Sequence, residues 1–297
     1  MRFAPLNLAD PSNFEKTLNL LLLCSCLPIV GLLPGLQAQT PQPMPLQSST
    51  QVLIVTTSDW NSSEGVLRRY EKARPSGRWK TVGVPISVML GKNGLGWGVG
   101  IMTTNNGRAH DETDPVKREG DGKAPAGIFH LTGMFGYAPQ PPAGWKMPYV
   151  SLTPSSECVD DSKSRFYNRV VDRATVSPDW NSSEHMLRTD ELYRWGIVVA
   201  HNANPAIPER GSCIFMHIWG GPGEATVGCT AMQRQQIESV LSWLDPTRLP
   251  LLIQLPTSQY NKLRKPWELP DLQLAGCETS REKERHGIAR SDRQSNF

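Results

Sequence analysis

The residue types best suited to chemistry fall in one segment, "SCIFMHIWGGPGEATVGCTAM" (212–232), which holds His217 and Cys229 on either side of a Gly/Pro-rich loop. In "CIFMHIW", strand alternation puts Cys213, Phe215, His217 and Trp219 on one face and Ile214, Met216 and Ile218 on the other. A strand histidine and a cysteine ahead of a helix can meet across such a loop. A cysteine near a helix N-terminus gains thiolate character from the dipole and the free N–H groups. An adjacent imidazole stabilises that thiolate and shuttles protons, which makes the sulfur a nucleophile. Backbone N–H groups around Gly228 and Cys229 are then placed to hold a developing oxyanion. Three other readings compete. Cys229 is a disulfide partner, the default for an exported cysteine. His217 is a satisfied sheet histidine. Cys213, His217 and Cys229 hold a metal, although no Cys-x-x-Cys supports that spacing. On the residues alone, catalysis and the disulfide stand level.

The elements that must position these groups read as strands: "QVLIVTT" (51–57), "PISVML" (85–90), "GWGVGIM" (96–102), "GIFHLTG" (127–133), "GIVVAHN" (196–202), "CIFMHIW" (213–219) and "PLLIQLP" (250–256). They are rich in β-branched and aromatic residues and bounded by turn formers. One helix is predicted in "MQRQQIESVLSWLDP", where Ile237, Val240, Leu241 and Leu244 fall at helical spacing before Asp245-Pro246. The pattern predicts a mainly β domain over residues 51–260 with a few peripheral helices, not a βαβ fold. "DWNSSE" occurs twice, at 59–64 and 179–184, each copy followed by Leu-Arg. The Asn-to-Glu spacing matches a capping box, which predicts two similar strand-to-helix turns. The flanking patterns, "VLIVTTS" and "DRATVSP", do not match, so the repeat does not mark a duplicated domain. Paired loops presenting Trp60 and Trp180 to a cleft are the functional alternative.

The ends bound the domain. A basic start, the apolar run "LNLLLLCSCLPIVGLLPGL" and Ala38 read as a signal peptide over 1–38, so export to the periplasm or cell envelope is expected. A lipoprotein cut before Cys26 is the variant. The two prolines and two glycines make a membrane anchor the poorer fit, so no span is expected after cleavage. Residues 39–50 read as a Pro/Gln/Ser linker, and 261–297 as a polar, disordered tail. A net charge of +3 from 31 basic and 28 acidic residues is too balanced for a nucleic-acid partner. Losing Cys24 and Cys26 with the leader leaves Cys158, Cys213, Cys229 and Cys277.

Two motifs resemble the L,D-transpeptidase (YkuD-type) catalytic domain family. One is the strand histidine, Gly-containing loop and Thr-x-Gly-Cys of 217–229; the other is "KREGDGKAPAGIFHL" (117–131), similar to the family's Gly-Asp-Gly-Lys-Thr-Pro-x-Gly-x-Phe signature with Ala124 at the threonine. The resemblance spans roughly 50–256 and implies a YkuD-type β-sandwich or mixed-sheet domain. It implies Cys229 as nucleophile and His217 as base, with the His oriented by a backbone carbonyl near Ile218. It further implies Gly228 and Thr230 shaping an oxyanion region through their backbone, and Thr226 at the motif's Ser/Thr. The motif's second histidine is Val227 here, and its following arginine is Ala231, so Arg210 or Arg234 would have to substitute. Trp219 and Gly220 complete the candidate substrate-binding set.

The implied activity is acyl transfer on peptidoglycan stem peptides through a thioester, with an amine acceptor and no metal or organic cofactor. Two alternatives stay open: an L,D-carboxypeptidase or endopeptidase, in which water replaces the amine, and a silent wall-binding module with Cys229 in a disulfide. A papain-like enzyme is disfavoured, because there the cysteine precedes its histidine. With Cys277 in the weak tail, Cys158 and Cys213 are the expected disulfide. The stretch "ECVDDSKSRFYNRVVD" (157–172) reads mainly as a solvated loop, or else as one lining the cleft with Asp160, Asp161, Tyr167 and Asn168.

Overall fold

The described residues form thirteen strands and three α-helices: α1 Pro45–Ser48, β1 Gln51–Thr57, β2 Glu64–Glu71, β3 Lys80–Met89, β4 Leu95–Trp97, β5 Ala124–Gly136, β6 Tyr149–Ser151, β7 Ser156–Val159, β8 Val170–Asp172, β9 Ser183–His185, β10 Trp195–Val199, β11 Phe215–Ile218, β12 Thr230–Met232, α2 Arg234–Trp243, β13 Leu251–Pro256 and α3 Thr257–Leu263. The structure, a computed structural model, describes residues 45–101 and 113–272. The mainly β expectation holds. The predicted leader, 1–38, lies outside the described residues, as does Met102 of the third predicted strand. Among the described residues no helix is long and apolar enough to cross a membrane.

The large sheet runs β10-β11-β12-β3-β2-β1-β13-β5, and β5 pairs again with β10, so the circuit closes. Its thirteen-residue length makes this possible: residues 127–130 pair with β13, and residues 131–136 pair with β10. Closure removes two sheet edges, which would otherwise present unpaired backbone groups. β11 and β12 run parallel inside this circuit. A separate three-stranded sheet, β8-β7-β9, is built from residues 156–185, and its β7 and β8 take up the two ends of the 157–172 stretch. That stretch is therefore not a solvated loop: Cys158 is buried and bonded to Cys213, and Asn168 donates to the His201 and Asn202 carbonyls while accepting from the Cys213 N–H.

Burial confirms the face assignment made from alternation. Ile214, Met216 and Ile218 pack in the main core with Ile237, Val240 and Leu241 of α2. Phe215 and Cys229 join a second cluster with Phe135, Met186 and Tyr193. Three expectations are corrected. Neither Asp-Trp-Asn-Ser-Ser-Glu copy caps a helix; the first leads into β2 and the second into β9, and Ser62 and Asp59 bond locally within a turn instead. Residues 45–50, expected in the linker, pack on the domain, with Leu46 buried and its carbonyl accepting from Lys72 Nζ. Residues 261–272, expected in the tail, do likewise, with Trp267 edge-on to Trp97. Apolar side chains in polar segments are enough to dock them.

Candidate active site

The Thr226–Cys229 turn is held from two sides. Thr226 N–H donates to the Leu90 carbonyl, and the Thr226 carbonyl accepts from Lys92 N–H. The Thr226 hydroxyl donates to the Cys229 carbonyl at 2.7 Å and accepts from Gly228 N–H at 3.1 Å. Gly228 has φ +153°, and a Cβ there would lie 3.1 Å from the Lys123 carbonyl oxygen, so the position favours glycine. Lys123 belongs to the "KREGDGKAPAGIFHL" stretch. Asp121 in that stretch folds it, accepting from Lys117 Nζ, Arg118 N–H and Lys123 N–H. The two motifs, distant in sequence, thus form one wall.

Cys229 is unpaired, 5% exposed, and accepts the Phe215 N–H at 3.3 Å. In the β11–β12 register His217 lies level with Ala231, so Cys229 projects from the same face, on the diagonal. Both side chains line one cleft of about 510 Å³, together with Lys117, Asp160, Glu184, Arg188, Tyr193, Trp219, Gly220, Thr226 and Gly228. His217 Nδ1 is 2.7 Å from the Ile218 carbonyl. A carbonyl only accepts, so Nδ1 carries the proton and Nε2 keeps its lone pair. The disulfide takes Cys213 out of any ligand set, and among the described residues no three His, Cys, Asp or Glu side chains cluster as a metal site.

The electrostatics differ from the expected ion pair. Burial, then the nearby Glu184, push the Cys229 thiol up to about 12 against the Phe215 N–H. Burial pulls His217 down to about 4 against the Ile218 carbonyl. At neutral pH the pair is a thiol beside a free imidazole. The helix-terminus argument fails because β12 separates Cys229 from α2, whose N-cap is Gln233.

Of the other residues singled out, Thr230 turns its hydroxyl away from the cleft to Gln254 Oε1, 2.7 Å off, leaving only its backbone nearby. The Gly228 N–H is taken by Thr226, so it is not open to an oxyanion in this state. Arg210 and Arg234 do not line the cleft; Arg234 pairs with Glu238 on α2. Trp180 is buried against Phe166 and Trp60 is half-buried against Trp97; neither lines the cleft. Missed from the sequence were Tyr193, Glu184 and Arg188. The last two lie in and just after the second Asp-Trp-Asn-Ser-Ser-Glu copy, the signal that could have found them. Arg188 is held by Asp190 (Nε to Oδ1 3.0 Å) and Glu184, and stacks on the Tyr193 ring.

The closed mainly β sheet thus brings an unpaired cysteine and a buried histidine to one cleft. The family model for the L,D-transpeptidase catalytic domain (YkuD) matches residues 59–253, well over half of the chain. The chain belongs to this family of L,D-transpeptidase-type cell-wall enzymes. Neither the curated proteins nor the solved structures give a match.

Proposed function

We propose that the protein is an exported acyltransferase that uses Cys229 on peptidoglycan stem peptides. The observation that carries this is an unpaired Cys229 sharing one cleft with a His217 whose Nε2 is free to take a proton. His217 Nε2 accepts the thiol proton as Sγ attacks the carbonyl that precedes a terminal D-amino acid. The Cys229 amide, next to the sulfur, is the oxyanion donor we assign. The C–N bond then breaks, His217 returns the proton to the leaving amine, and a thioester remains. An acceptor amine attacks it, loses a proton to His217, and regenerates the thiol. The Cys158–Cys213 disulfide supports an oxidising compartment, in agreement with the predicted leader. It also pairs two of the cysteines without Cys229, which is unpaired among the described residues, and this counts against the silent-module reading that needed Cys229 bonded.

Hydrolysis by water is the second reading. Ala231, buried at the motif's arginine position, favours it, since neither Arg210 nor Arg234 reaches the cleft and the arginine that does, Arg188, is held by Asp190 and Glu184. Intact mass spectrometry with a thiol-reactive carbapenem tests the nucleophile. One adduct is expected on the parent and none on Cys229→Ala; equal labelling of both sinks the proposal. Incubation with a stem tetrapeptide and an added D-amino acid separates the two outcomes, exchange for transfer and release alone for hydrolysis.

A further inference from the structure

Among the titratable groups of the cleft that this chemistry leaves unused, Glu184 and Tyr193 are joined to each other. Glu184, delivered by β9, accepts a hydrogen bond from the Tyr193 hydroxyl at 2.7 Å. Tyr193 is 4% exposed, its ring stands edge-on to His217 with centroids 5.1 Å apart, and it shares both the packed cluster and the cleft with Cys229. A tyrosine hydroxyl has one proton, so it can serve Glu184 or the sulfur, but not both.

We propose that Tyr193 and Glu184 are positioning residues that set the nucleophilicity of Cys229: a protonated Glu184 releases the Tyr193 hydroxyl to the sulfur, and an ionised Glu184 holds it away. The inference rests on the reading of Cys229 as nucleophile and adds the control of that same site. No covalent bond changes within the pair. As the thiol proton passes to His217 Nε2, Tyr193 O–H moves its hydrogen bond from Glu184 to Sγ. The Glu184 carboxyl O–H then donates to the Tyr193 oxygen. In the ionised state the carboxylate both keeps that hydroxyl and opposes negative charge on sulfur.

The groups facing Glu184 make it able to change state. Burial holds its carboxyl above the usual range, the Asp160 and Asp190 charges add to this, and Tyr193 and Arg188 oppose it. Arg188 Nη1 lies 3.5 Å from Glu184 Oε1, but its guanidinium is shared with Asp190. Cys229 itself completes the set, because a thiolate there would favour the protonated carboxyl.

Iodoacetamide alkylation of Cys229, read by intact mass against pH, tests this. Glu184→Gln is expected to move the rate midpoint down by about one pH unit, roughly a tenfold gain at fixed pH below it. Tyr193→Phe is expected to move it up. A pair that only supported packing would change melting temperature and leave both midpoints in place. An unmoved or raised midpoint in a Glu184→Gln protein that melts like the parent overturns the inference. The unmutated chain gives an independent check if a variant does not fold: its profile must depart from a single ionisation, and a single-ionisation curve counts against the idea. Loss of labelling at Cys229 in the parent is a different failure, because it takes down the nucleophile reading itself.

Discussion

A sulfur buried like that of Cys229 keeps its proton at neutral pH, and an imidazole buried like that of His217 stays unprotonated beside it. Attack therefore needs proton transfer from thiol to Nε2 in the same step, as general-base chemistry, rather than a preformed ion pair. This gives a pH prediction. His217, lowered to about 4, remains a competent base well below the usual histidine range. The acid limb of carbapenem acylation is expected near pH 4 to 5 rather than near 6.5, with a normal solvent isotope effect at neutral pH. A limb near 6.5 with no isotope effect would mean that the ion pair forms after all. At this scale His217, Cys229 and the Ile218 carbonyl were legible, because a local motif carries them. Tyr193, Glu184 and Arg188 were not, because their place beside Cys229 depends on where β9 and β10 fall, not on any spacing to Cys229.

Strand alternation was legible at the scale of elements: it assigned His217 and Ile214 to opposite faces correctly, since a side-chain period of two needs no tertiary information. β2 and β12 were not. β2 carries Arg68, Arg69 and two glutamates on a half-exposed strand, and β12 is three residues long, so neither shows an apolar run. Overlooking β12 is what placed a helix dipole behind Cys229. The disulfide links β7 to Cys213, two residues ahead of β11, across 55 positions. Cys213 also stands against the site, its carbonyl 3.6 Å from Cys229 Sγ. Replacing both Cys158 and Cys213 by alanine is expected to lower stability by about 4 kcal/mol through loop closure in the unfolded chain. The same change should slow carbapenem acylation, because the β11 entry is no longer tied to β7. Urea unfolding and acylation rates check the two parts separately; a stability loss with unchanged acylation would show that the bridge supports only the fold.

Closure of the large sheet through β5 is a property of the whole molecule, set by pairings between residues far apart in sequence, and no local pattern announces it. The closed circuit also decides how deeply its histidines are buried, and this has a consequence for acid stability. Burial lowers His201 to about 3 and His217 to about 4, each from 6.5. Above pH 6.5 neither state binds these protons, so their contribution to stability is fully present. As pH falls, the unfolded chain protonates first and stability drops until the folded values are reached. The loss is on the order of 3 to 5 kcal/mol for each histidine as an upper bound. Glu184 acts in the opposite sense: its raised carboxyl favours the fold at low pH, and that share is lost as pH rises above the unfolded carboxyl value of 4.5. Two histidines outweigh one carboxyl, so urea midpoints are expected to fall steeply between pH 6.5 and about pH 4. His201→Gln and His217→Gln should each flatten that slope. Since His201 sits outside the cleft while His217 lines it, only the second change should also abolish carbapenem acylation. A flat urea midpoint across this window in the parent would mean that water reaches these imidazoles, and the general-base argument for His217 would fail with it.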